Sequence, residues 1–180
     1  MTINELQDEV IEEFAELEDW MDRYQLLIDL GEDQEALPEE HKTTDNLIDG
    51  CQSRVWLVCE NQNGLLHFAA ESDALIVKGI VSLLLRVVNN HTAQEILDAD
   101  LYFIREIGLT EHLSPTRSNG LLAMVKQIKM YALAMQAKGS LPETLTAEKV
   151  LKASQYQLVK TPALGGETKS FLGKTKSNII

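Results

Sequence analysis

The chain has 180 residues, 44% of them apolar, which suits one domain with a real core and argues against wholesale disorder. No apolar run approaches the ~18 residues that span a bilayer, and the acidic N-terminus fits neither a secretory signal nor a transit peptide, so a soluble, cytoplasmic protein is expected. A net charge of −12, from 16 basic and 28 acidic residues, disfavours nucleic-acid binding and steers the surface toward basic partners.

The first predicted element is one long helix. Ile3, Leu6, Val10, Phe14, Leu17, Met21, Tyr24 and Ile28 recur at three- and four-residue intervals. Thr2 and Glu5 have capping-box spacing, and Gly31 is the expected stop. Glu9, Glu12, Glu13, Glu16 and Asp19 mark its outer, solvated face. Residues 32–53 lack periodicity and contain Pro38 and Gly50. They read as a long connector, with room for a short strand at 46–49.

Residues 54–60 and 65–71 are rich in β-branched, aromatic and apolar side chains and read as two strands. Asn63-Gly64 between them is a strong hairpin signal. Ser72 is then expected to cap a helix running to about Val88. Its side chains are apolar almost all round, so it should be buried. Thr92 and Glu95 repeat the capping-box pattern before a short helix. Another helix is expected from about residue 100 to 107, stopped by Gly108. Ser114-Pro115 places a cap before a first-turn proline and opens the last long helix. Leu121, Leu122, Val125, Ile128, Ala132 and Met135 are expected on one face of it, and Gly139 as its stop.

The tail differs in charge. From Ser140 on it carries six lysines and three glutamates, a local +3 that leaves −15 on the body. It reads as a flexible extension over 140–180, with one short helix at 146–153. The expected fold is α+β over residues 1–139, a small antiparallel sheet packed on helices.

The chemistry centres on Cys51. It sits in the turn-prone run Asp45-Asn46-Leu47-Ile48-Asp49-Gly50-Cys51-Gln52-Ser53-Arg54, directly before a strand. Gly50 frees the backbone, and Gln52 and Ser53 let a loop face water. A thiol placed there is reachable by another molecule. Asp45 and Asp49 balance Arg54, so nothing local favours the thiolate, and a protonated resting thiol is expected. Leu47, Ile48 and Trp56 are the expected shelter. The second cysteine, Cys59, lies among Val55, Leu57 and Val58 and reads as a small core residue. At about 3.3 Å per extended residue it is roughly 20 Å along the strand, too far to bridge to Cys51.

Gly50-Cys51-Gln52-Ser53-Arg54-Val55-Trp56-Leu57 resembles the signature of the SufE family, the sulfur-acceptor partners of cysteine desulfurases. Further segments match in order: Ser72-Asp73-Ala74-Leu75-Ile76-Val77-Lys78-Gly79, then Gly108-Leu109-Thr110-Glu111-His112-Leu113-Ser114-Pro115-Thr116-Arg117, then Ser118-Asn119-Gly120-Leu121. Leu37-Pro38-Glu39-Glu40-His41 also fits, and the likeness covers about residues 1 to 138. It implies a fold shared with IscU-type scaffolds, with Cys51 at a loop tip beside the sheet. It implies that Cys51 takes persulfide sulfur from a cysteine desulfurase, stimulates that enzyme, and relays the sulfur to iron–sulfur cluster assembly.

The resemblance also implies a carrier rather than an enzyme, monomeric or weakly dimeric. It would have no cofactor of its own, since the pyridoxal phosphate belongs to the desulfurase. Arg117 would serve docking or persulfide stabilisation, the other reading being an ordinary salt bridge. Gly50 and Gln52 would shape the partner-facing loop, and Asp73 would influence loop mobility. Two alternatives stand beside the carrier: a non-catalytic interaction module, and relay to a non-cluster pathway. His41, His67, His91 and His112 lack metal-ligand spacing with either cysteine. A cysteine peptidase would need His67 or His112 against Cys51.

Overall fold

The computed structural model describes residues 1–138. The expected stop at Gly139, the helix at 146–153 and the extension lie outside those residues. Seven α-helices and two strands follow one another among the described residues, with two 3-10 turns, Glu39–His41 and Thr44–Asn46, in the connector: α1 (Ile3–Ala15), α2 (Trp20–Glu32), β1 (Val55–Gln62), β2 (Leu65–Ser72), α3 (Leu75–Val88), α4 (Ala93–Asp98), α5 (Phe103–Glu106), α6 (Leu109–His112) and α7 (Pro115–Lys138). The architecture is α+β. Strands β1 and β2 form an antiparallel hairpin, Val55 opposite Ser72 and Gln62 opposite Leu65. Asn63 and Gly64 both have positive φ, 56° and 91°, as a two-residue turn matched to strand twist requires.

Helix α3 is the centre of the packing and touches α1, α2, β2 and α7. Nine of its residues are buried, as its nearly continuous apolar surface demands. The free edge of β2 is covered. The Asn89 side chain accepts from Phe68 N at 2.7 Å and donates to Phe68 O at 3.0 Å, standing in for a third strand. Leu66 N donates to His91 O, and the Gln34 side chain donates to Ala70 O.

The expected single N-terminal helix is broken in two. The apolar spacing runs across the break, but Asp19 caps a new helix by accepting from Met21 N at 3.0 Å. Arg23 Nε donates to Leu17 O at 2.8 Å and satisfies a carbonyl the break exposes. Asp19 is therefore a cap, and Met21 turns out to solvent, 70% exposed. On the outer face Glu9 and Glu13 pair with Arg86 of α3. Gly31 does not stop a helix. It lies inside α2 at a close crossing with Gly79 of α3.

Further boundaries shift for identifiable reasons. At residues 46–49 only an isolated bridge forms, Leu47 opposite Trp56. Ser72 ends β2 and donates to Arg54 O; the helix begins at Leu75 behind Ala74, which makes no side-chain cap. The helix expected at 100–107 shrinks to α5. The buried Gln7 side chain holds the backbone before it, donating to Asp100 O and accepting from Phe103 N. Gly108 then joins α5 to a second single turn, α6. On α7 the buried stripe is Leu121, Met124, Ile128, Tyr131, Ala132 and Met135; Leu122 points outward, 63% exposed. Among the described residues no helix is long and apolar enough to cross a membrane.

Candidate functional site

The Cys51 loop is a closed loop. Its neck is the Leu47–Trp56 bridge and the hydrogen bond from Ile48 N to Val55 O at 2.9 Å. Ile48 and Val55 are buried and root the loop in the core, so only residues 49–54 project. Gly50 takes φ +89°, the left-handed region that a side chain disfavours. This reverses the chain and lays the tip on α7, where a Cβ on Gly50 would touch Ala123. Cys51 follows, half-buried, with its Sγ donating to Gly120 O of α7 at 3.5 Å. Gln52 faces solvent.

Burial pushes the Cys51 thiol up to about 11, because taking it out of water disfavours the charged thiolate. The resting side chain is a neutral thiol. Below the loop neck lies an apolar void of about 10 Å³, lined by Ile48, Val55, Leu57, Leu84, Met124 and Ile128 among others. A space of that size and lining holds no water. Met124 is one turn along α7 from Gly120, so the thiol sits between this dry interior and the surface.

Asp73 latches the far end of the loop. Its carboxylate accepts from Arg54 N and from Arg54 Nε, each at 3.0 Å, while Asp73 N donates back to Arg54 O at 3.3 Å. The Arg54 guanidinium also lies over Trp56, 5.5 Å from the ring centre. This latch is solvent-exposed and therefore weak, about 1 kcal/mol. Asp73→Ala is accordingly expected to raise the rate of Cys51 alkylation by iodoacetamide about fivefold, the population change that ~1 kcal/mol gives. An unchanged rate would show that the latch does not hold the loop.

Arg117 is in the first turn of α7, one turn before Gly120, and exposed. Its backbone N donates to Ser114 Oγ at 3.4 Å. Among the described residues its guanidinium makes no ion pair, so the ordinary salt bridge does not form. The structure thus brings Gly50, Cys51 and the Arg117 end of α7 together, and ties Asp73 to the same loop through Arg54.

Cys59 is fully buried in β1 and unbridged. His112 stacks on Trp20, ring centres 3.7 Å apart, and His67 pairs across the hairpin with Glu60; neither is hydrogen-bonded to Cys51. Among the described residues no group of three or more His, Cys, Asp or Glu is disposed to hold a metal ion. Reasoning from the sequence missed Gly120 as the partner of Cys51. The contact is to the backbone carbonyl of Gly120, which every residue carries, so no residue type in the sequence signalled it.

The SufE family model, described as an Fe-S metabolism associated domain, matches residues 8–132. An uncharacterised SufE-like protein of Rhizobium meliloti is 41% identical over 140 residues, 75% of this chain and 96% of that one. Another, of Rhizobium etli, is 42% identical over 127 residues, 68% of this chain and 86% of that one. The solution structure of a hypothetical protein from Thermus thermophilus superposes with a TM-score of 0.62, over 73% of this chain and 96% of that one; at 19% identity it speaks for the fold alone. With the cysteine loop, the hairpin and the motif-bearing helices in place, the chain belongs to the SufE family, whose domain is associated with Fe-S metabolism.

Proposed function

We propose that this chain is a sulfur acceptor for a cysteine desulfurase, with Cys51 as the accepting thiol. The observation that carries the reading is the seat of Cys51: a half-buried neutral thiol at the tip of a closed loop held by a weak, exposed latch. The thiolate of Cys51 attacks the terminal sulfur of the desulfurase persulfide. The donor's S–S bond breaks, its electron pair stays on the donor thiolate, and a new S–S bond forms at Cys51. The proton lost by Cys51 is matched by the one the donor thiolate gains, so no outside oxidant or reductant enters.

The thiol must ionise to react, and in its resting seat it stays protonated at neutral pH. Docking therefore has to release the loop into a polar site that lowers the thiol's pKa. Arg54 is latched on Asp73, while Arg117, exposed in the first turn of α7 and in no ion pair among the described residues, serves to meet the partner or the persulfide. Gly50 supplies the hinge and Gln52 the outward polar contact. After transfer, retreat under the loop protects the sulfur from reductants and oxidants. The carrier has no cofactor of its own in this reading; pyridoxal phosphate belongs to the desulfurase. A cytoplasmic setting and onward delivery to an iron–sulfur scaffold complete the proposal. The sulfur-handling unit is residues 1–139, with 140–180 as an accessory extension.

The test is intact mass and desulfurase turnover after incubation with a cysteine desulfurase, pyridoxal phosphate and cysteine. The wild-type chain is expected to gain one sulfur and to stimulate turnover, and Cys51→Ser to gain none. No gain in the wild type, with turnover unchanged, overturns the reading.

A further inference from the structure

We propose that the tip of the β1–β2 hairpin is a site of spontaneous deamidation, at Asn63, and that the Asn61 side chain guards it by holding the amide hydrogen of Gly64. The site is independent of the sulfur-acceptor reading of Cys51. In an Asn-Gly pair the backbone nitrogen of the glycine attacks the side-chain carbonyl carbon of the asparagine. A C–N bond forms and closes a succinimide ring. The C–NH2 bond breaks, and the proton lost by the glycine nitrogen completes the departing group to ammonia. Water then opens the ring at either carbonyl, giving aspartate or isoaspartate, with no oxidant or reductant involved. Asparagine is thermolabile for this reason, and a following glycine, having no side chain, leaves the attack unhindered.

The pair occurs twice in the chain, at 63–64 and 119–120. Asn119 and Gly120 lie inside α7, where the glycine N–H is committed to the helix ladder. Asn63 and Gly64 are both exposed, and a Cβ on Gly64 would meet nothing within 4 Å, so water and hydroxide reach the reacting atoms. As the second residue of a two-residue turn, Gly64 offers its N–H to no ladder partner. It donates instead to Asn61 Oδ1 at 2.8 Å. The attack needs that hydrogen removed by solvent base and the nitrogen free to turn onto Asn63 Cγ. The bond to Asn61 opposes both. The two products differ in what the hairpin tolerates. Asp-Gly suits the same turn. Isoaspartate carries one more backbone atom and disrupts the turn that sets Gln62 opposite Leu65.

The experiment incubates the full chain, Asn61→Ala and Asn61→Asp in the folded state at pH 8, and the wild type also in guanidinium chloride. Peptides carrying Asn63 and Asn119 are separated. Each is scored by mass for conversion of the amide to the acid, and by a methyltransferase that labels isoaspartate. The second Asn-Gly pair is the internal control, since it reports unfolding of the chain without any contact to Asn61.

Asn63 is expected to convert about tenfold or more slowly in the folded wild type than in the unfolded chain, because the turn must open first. Asn61→Ala is expected to raise the folded Asn63 rate about fivefold, the effect of losing one hydrogen bond, and to leave the Asn119 rate unchanged. Asn61→Asp keeps an acceptor and is expected to stay within about twofold of wild type. Equal Asn63 rates in the folded and unfolded wild type overturn the proposal, as does an unchanged rate in Asn61→Ala. A parallel rise at Asn63 and Asn119 also overturns it, since the variant would then act by unfolding the chain. So does an Asn61→Asp rate as fast as that of Asn61→Ala.

Discussion

Gly79→Ala is expected to destabilise the chain by about 3 kcal/mol or more, a large share of the marginal stability of a domain this size. A Cβ at that position would lie 1.9 Å from Leu27 O, 2.5 Å from Leu27 C and 2.9 Å from Leu27 Cα. All three are backbone atoms, so no rotamer change relieves the overlap. Helix α2 and helix α3 must move apart, and they share the most extensive helix pairing in the fold. The facing position is equally tight, since a Cβ on Gly31 would lie 2.9 Å from Gly79 N. Alanine's better helix propensity offsets only about 1 kcal/mol. A urea melt checks this: the midpoint should fall well below that of wild type, and an unchanged midpoint would show that the backbones do not meet there.

Cys51 is expected to react with iodoacetamide at pH 8 about two orders of magnitude more slowly in the folded chain than in the chain unfolded in urea. Only the thiolate reacts, and an unperturbed thiol ionises near 8.5. Burial raises the folded thiol to about 11. Protection is full below the unfolded value and is lost as pH rises toward the folded one. The folded rate should therefore climb about tenfold per pH unit through that window. Opening of the loop to expose an ordinary thiol gives the same profile, because burial and opening are two descriptions of one free-energy difference. Cys59 should stay unreacted, being fully buried in β1. A plateau already reached near pH 8.5, with no protection, would contradict a sheltered thiol.

Local chemistry made the hairpin and the cysteine loop legible. Asn63-Gly64 dictates its own turn, and Gly50 before Cys51 predicts a reversal that positive φ values bear out at all three positions. Both capping boxes form as spaced, with Thr2 and Thr92 each accepting from the glutamate three residues on. What escaped was whatever depends on a distant partner. The break after α1 hides because apolar spacing continues through it, and only Asp19 ahead of Met21 betrays a new cap. Gly31 looked like a helix stop because its reason, Gly79, is 48 positions away. Leu122 looked buried because three- and four-residue spacing admits two adjacent faces, and packing against the core chose the one with Met124 and Tyr131.

The site divided along the same line. Cys51 could be singled out from its neighbours in the chain. Its latch, Asp73 on Arg54, and its resting contact, Gly120, are brought in by the hairpin and by α7. A charge count alone set Asp45 and Asp49 against Arg54. It could not see that Arg54 is spent on Asp73, or that burial would set the thiol's pKa.

The most direct measurement is the location of the sulfur. After incubation with a cysteine desulfurase and cysteine, persulfides are trapped by alkylation, the chain is digested, and the peptides are weighed. One extra sulfur on the peptide that carries Cys51, and none on the peptide that carries Cys59, is the predicted result. Sulfur on Cys59, or on neither cysteine while the desulfurase is turning over, would contradict the account.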